Sequence, residues 1–203
     1  MTHEKSTASN TELSLAKLAL VGTLLGPLAA CGGSGQSSGL VEAPEQIVEE
    51  AEDLLEDIID PDGELVADFT PIASSEIPVT GTADYDGYIG GQLGSDSLTA
   101  RLSVEVNFVT SRLTTTADQF ILGTDTVLAG SLTGDDDINR DGSSPLPQIV
   151  ATITGDIDGE SSALALDGNF LVETGSSDIA AIGGQVEGNI GTQFLTDGIF
   201  AGE

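Results

Sequence analysis

The chain of 203 residues sets 34 carboxylates against five basic side chains, a net charge of −29, and holds one cysteine, one histidine, one methionine and no tryptophan. Beyond residue 31 there is no lysine, histidine, methionine or cysteine, so nucleophilic triads, thiol catalysis and His/Cys zinc sites lack their residues. Nucleic acid and anionic lipid surfaces are disfavoured as partners, since binding them rests on clustered Lys and Arg.

Residues 1–17 are polar and include Lys5 and Lys17, and Leu18 to Pro27 then reads LALVGTLLGP without a charge. Ten apolar residues are too few to span a bilayer, which takes about 20, but they match a secretory h-region. Leu28, Ala29, Ala30 and Cys31 follow in the order of the lipobox of bacterial lipoprotein signal peptides. Residues 1–30 are therefore expected to be a lipoprotein signal peptide, with Cys31 diacylated on sulfur and first in the mature chain. Acyl chains contribute about 0.8 kcal/mol per buried methylene, so several of them hold a protein to a membrane effectively for good. Gly32 stands where an aspartate would resemble an inner-membrane retention signal, which favours the outer membrane. Removing residues 1–30 takes away two glutamates and both lysines, leaving 32 carboxylates against Arg101, Arg112 and Arg140 and the net charge unchanged.

Residues 31–43 open with CGGSGQSSG, a composition that behaves as a flexible tether. Residues 44–60 begin at Pro44, and Ile47, Ala51, Leu54, Leu55 and Ile58 recur at helical spacing until Asp60-Pro61 ends the pattern. A short acidic amphipathic helix is expected there, loosely docked or free, and residues 61–77, punctuated by prolines, read as linker.

From Pro78 the period changes to two. In SLTARLSVEVNFV, Leu98, Ala100, Leu102, Val104, Val106 and Phe108 share one face and Thr99, Arg101, Ser103, Glu105 and Asn107 the other. That pattern is a half-buried antiparallel strand. PQIVATITGDI and ALALDGNFLV alternate similarly, and further strands are expected at 79–90, 111–122, 126–134, 179–190 and 195–202. The total of about eight strands predicts an all-β fold for residues 78–203, an eight-stranded antiparallel up-and-down β-barrel, with a sandwich as the alternative. Six glycine pairs four residues apart, such as Gly87/Gly91 and Gly184/Gly188, suggest close packing on one face of the wall. Outward charges such as Arg101 and Glu105, with only eight aromatics in the chain, argue against a membrane-spanning barrel.

One stretch suggests an ion site. DDDINRDGSSPLPQ places Asp137, Asn139 and Asp141 at alternate positions before Gly142, the opening of a calcium loop. Gln148 stands at the twelfth position in place of a bidentate glutamate, and a polar hairpin loop accounts for the same letters. No other cofactor is expected: a haem iron would find only Tyr85 and Tyr88 as axial ligands, and both read as packing residues.

The stretches VTGTADYDGYIGG, LTARLSVEVNF, ALDGNFLVETGSSDIAAIGGQVEGNI and TDGIFAGE, in this order and after the lipobox, resemble the barrel lobe of transferrin-binding-protein-like and factor-H-binding-protein-like surface lipoproteins. The likeness covers residues 79–203. It implies an eight-stranded barrel on the cell surface that binds a ligand or macromolecule through its loops.

The combined expectation is a non-enzymatic binding protein, lipid-anchored to the outer membrane and surface-exposed, with recognition at residues 91–97, 134–147 or 173–179. The alternative, from a different class, is a structural or protective acidic surface lipoprotein with no specific ligand.

Overall fold

Alternating apolar and polar residues cannot bury one face and wet the other unless the chain is extended, and from Thr82 onward it is. The computed structural model describes residues 42–60, 63–141 and 147–203. It contains one helix, α1 (Pro44–Ile58), and the strands β1 (Phe69–Pro71), β2 (Thr82–Leu93), β3 (Asp96–Asn107), β4 (Arg112–Leu122), β5 (Thr126–Asp137), β6 (Ile149–Ile157), β7 (Glu160–Glu173), β8 (Ile179–Ile190) and β9 (Gln193–Gly202). Each strand from β2 to β9 pairs antiparallel with the next, and β9 pairs back onto β2. The result is a closed up-and-down barrel, without the open edges a sandwich would keep.

An eight-stranded barrel is just wide enough for side chains to fill. All six apolar residues predicted for the inner face of β3 are buried, and Phe120, Phe170 and Phe200 are wholly so. The Phe170 ring lies 5.7 Å from that of Phe108 and 6.2 Å from that of Tyr85, in tilted contacts that join opposite parts of the wall. Glycine lets the wall close: Gly168 faces Gly184 across β7 and β8, and the Phe200 ring lies over Gly168 where a Cβ would come within 2.9 Å of its edge. In two of the six spaced pairs the second glycine, Gly94 or Gly159, serves a turn instead, at φ +70° or +80°.

The β5–β6 seam is the shortest in the wall, pairing only Gly130–Thr133 with Thr154–Ile157. Beyond it the carboxylate of Asp136 accepts the Thr152 N–H at 3.0 Å, and Asn139 N–H donates to Gln148 O at 2.9 Å. A side chain stands in for the backbone where the two strands part.

Helix α1 is docked, and on the outside of the barrel. Its buried stripe is Ile47, Ala51, Leu55 and Ile58, with Leu54 only partly covered. The stripe rests on Tyr88, Ile121, Leu171, Ala181 and Ala201, all on the outer wall. Gly90 makes room for it: a Cβ there would come within 2.7 Å of Leu55 Cδ1. The helix crosses β3, β2, β9 and β8 in turn, since Glu42 reaches Arg101 and Ile58 packs over Gly183. Fifteen residues at 1.5 Å each give roughly 22 Å, enough for four strands spaced about 4.8 Å apart.

The belt continues past the helix. Ile59 bridges to Leu65, and within the stretch expected from its prolines to be linker, β1 pairs with β7 through Phe69↔Glu173 and Pro71↔Leu171. Ile72 and Ile77 are buried in the barrel core. Among the described residues no helix is long and apolar enough to cross a membrane.

Candidate functional site

The predicted acylation site Cys31 and the lipobox residues Leu28, Ala29 and Ala30 lie outside the described residues, as does Gly142 of the candidate calcium loop. Asp137 ends β5, largely exposed, with its carboxylate 3.6 Å from Arg112 Nη1. The carboxamide of Asn139 is engaged within the loop, its Oδ1 accepting the Asp141 N–H at 3.0 Å and its Nδ2 donating to Pro147 O at 2.9 Å. Among the described residues no three His, Cys, Asp or Glu side chains come together as a metal would require. Gln148, at the position of the absent glutamate, is buried at the barrel end, where its amide donates to Ile72 O and accepts the Phe170 N–H at 3.1 Å. It fills the gap between β1 and β6 along the edge of β7.

Between those residues sits Arg140, to which the sequence, read here as a calcium or polar hairpin loop, assigns no role. Its guanidinium donates from Nε to Ser111 Oγ at 2.8 Å, from Nη1 to Ile77 O at 3.0 Å, and from Nη2 to Pro78 O at 2.6 Å and Phe108 O at 3.3 Å. The planar fork suits several carbonyls at once. Three segments, the lead-in at 77–78, the β3–β4 turn and the chain at Arg140 just after β5, are thus fixed to one another.

The two ends of the barrel differ. At one end lie the lead-in 72–81, the turn 108–111, the described ends of the connection between β5 and β6, and the turn 174–178; Arg140 and Gln148 join the first three, and the Thr174 N–H ties the last to Asp68 O at 2.8 Å. At the other the strands reverse through two or three residues, at Gly94–Ser95, 123–125, Asp158–Gly159 and Gly191–Thr192. Residues 91–97, named above as a recognition loop, are mostly the ends of β2 and β3 around a two-residue turn.

A second polar cluster locks the start of α1. Arg101 pairs with Glu42, lies 3.8 Å from Glu50, and stands 5.9 Å from the centre of the Tyr88 ring. The Tyr88 hydroxyl donates to Glu50 Oε2 at 2.8 Å. Burial, aided by that hydrogen bond and opposed by Arg101, pushes the Tyr88 phenol up to about 12, and burial alone does the same to Tyr85. Arg101 Nε is buried without a partner. That orphan donor costs about 1–3 kcal/mol, which the apolar stripe outweighs at roughly 1.5–3 kcal/mol for each of Ile47, Leu55 and Ile58. Both tyrosines are packing groups, as their environment in the sequence suggested.

Clefts mark the outer wall among the described residues. One of about 870 Å³ lies on β8 and β9 beside the end of α1 and is lined by Ala165, Glu187, Phe194, Asp197 and Ile199 among others. A groove of about 270 Å³ runs between α1 and the wall, and one of about 370 Å³ lies over Asp86, Arg101 and Asp118. No model of a known protein family and no curated protein matches the chain.

Proposed function

We propose that this chain is a non-catalytic, lipid-anchored binding protein of the outer membrane, similar in kind to the transferrin-binding-protein-like and factor-H-binding-protein-like surface lipoproteins, and that it captures its partner through the loops at one end of the barrel. The observation that carries this reading is the asymmetry of the barrel. Among strands β2 to β9 every connection longer than three residues leaves from one end, where Arg140 and Gln148 fasten the lead-in, the turn 108–111 and the described ends of the β5–β6 connection, while the other end closes in tight turns. Loops positioned by a rigid frame are the usual seat of recognition. The filled interior leaves the partner the outside of the molecule. The lipobox ending in Cys31, with the Gly/Ser tract after it, supplies the anchor and the reach.

The test is mass spectrometry of the protein purified from its own membrane, intact and with the 142–146 loop shortened. The reading expects a stoichiometric companion that is lost with the loop. Protein that purifies alone favours instead an acidic coat without a specific ligand, and a companion indifferent to the loop moves recognition away from that end of the barrel.

A further inference from the structure

The outer wall carries a second surface, far from the loop end and independent of the reading above. The 870 Å³ cleft lies toward the tight-turn end, where β8 and β9 pass the end of α1. Its apolar part includes Ala165, Ile199 and Phe194, the last 75% exposed and the most open of the large apolar side chains among the described residues. Its rim is acidic: Glu187 and Asp197 are both exposed. Asp197 holds a left-handed conformation, φ 51°, where the β8–β9 register slips. A non-glycine residue adopts that backbone at a cost on the order of 1 kcal/mol, and bulges of this sort re-aim a side chain.

The electrostatics of the cleft are one-sided. Helix α1 ends at Ile58 with no basic residue in its last turn, and Asp60 just past it lines the cleft, so the negative end of the helix dipole adds to the acidic rim. The three arginines beyond residue 31 are placed elsewhere: Arg101 on Glu42, Arg112 on Asp137, and Arg140 on backbone carbonyls at the loop end. An anionic amphiphile or a second copy of a chain with net charge −29 would be repelled.

We propose that this cleft docks a partner polypeptide segment that presents an apolar side chain flanked by lysines or arginines. The apolar residue packs on Phe194 and Ile199, and the flanking cations meet Glu187 and Asp197. Apolar contact supplies most of the affinity, and the charges supply steering and selection.

The chain has no tryptophan, so full-length protein carrying Phe194→Trp reports directly from the cleft. Titration with an N-acetylated peptide of alternating leucine and lysine shifts its emission to the blue and saturates, and the same peptide with glutamate for lysine does nothing. By calorimetry, Phe194→Ser weakens the leucine–lysine peptide by roughly tenfold or more, as does Asp197→Asn combined with Glu187→Gln. These substitutions fall on exposed side chains, and asparagine tolerates the left-handed backbone, so the fold is kept. Shortening the 142–146 loop leaves this binding unchanged, which separates it from the partner proposed for the loop end. No saturable signal overturns the proposal. So does unchanged affinity in Phe194→Ser or in the paired acidic variant, because the attraction would then belong to the charge of the whole chain. A loss on loop shortening also overturns it, by moving the contact to the other end.

Discussion

Replacing Arg140 by methionine keeps most of the side-chain length and removes the fork that joins three segments. Three of its four hydrogen bonds are 3.0 Å or shorter, and the acceptors Ile77 O and Phe108 O belong to buried residues. A hydrogen bond from a charged donor contributes about 1.5–3 kcal/mol when removal leaves its acceptor dry, and water at a half-buried site recovers part of that. The expected loss for Arg140→Met is therefore about 3 kcal/mol, with an unchanged slope in urea unfolding. Arg140→Lys, whose single ammonium cannot span three carbonyls, loses about 2 kcal/mol. Hydrogen exchange should localise the effect. The Phe108 N–H, bonded to Gly81 O at 3.1 Å, and the Ile138 N–H, bonded to Ser111 O at 2.8 Å, lose protection before the middle of β3 does. A loss below about 0.5 kcal/mol, the range of an ordinary surface change, would refute the clamp.

Gly184→Ala and Gly90→Ala should differ sharply. At Gly184 the new methyl meets the backbone of Asp167 and Gly168, which cannot yield without opening the β7–β8 seam, and about 3 kcal/mol is lost; at Gly90 it meets only the end of Leu55, and about 1 kcal/mol suffices. Equal losses in thermal unfolding would mean that the glycines are not where the wall is tightest. Thr115 is 1% exposed with a buried hydroxyl that has no partner, so Thr115→Val raises stability by about 1 kcal/mol, and a lower melting temperature would show that the hydroxyl is satisfied after all. Both tyrosines ionise near 12 in the folded chain against an ordinary 10.0, so the protonated form is favoured by folding. Their stabilisation is complete below pH 10 and is lost as pH rises toward 12; tyrosinate absorbance should appear late and together with loss of β structure, and titration near pH 10 with the fold intact would contradict it.

The barrel was legible because its strands alternate cleanly. The inner face of β3 from Leu98 to Phe108 was readable residue by residue, as were Ile149, Ala151, Ile153 and Ile157 of β6. The seat of α1 was not read, although the sequence carries its trace. Phe120-Ile121, Phe170-Leu171, Ala181-Ile182 and Phe200-Ala201 are adjacent apolar pairs in otherwise alternating strands, and in each pair one residue faces the core and the other the helix. Two faces buried at once break the period. Strand β1 is three residues long, holds Pro71, and exists only through pairing with β7 some hundred positions away, so no local signal marks it. The roles of Arg140 and Gln148 were hidden for a related reason. Both satisfy carbonyls or amides that only the closed barrel brings near, and from sequence the stretch around them suggested a metal loop.

The central claim is that one acylated sulfur moors this acidic barrel to a membrane. Intact-mass analysis of the protein isolated from its own cells tests it most directly. The account predicts a chain that begins at Cys31 and carries the mass of its acyl groups; a chain that retains residues 1–30, or one with an unmodified Cys31, would contradict it.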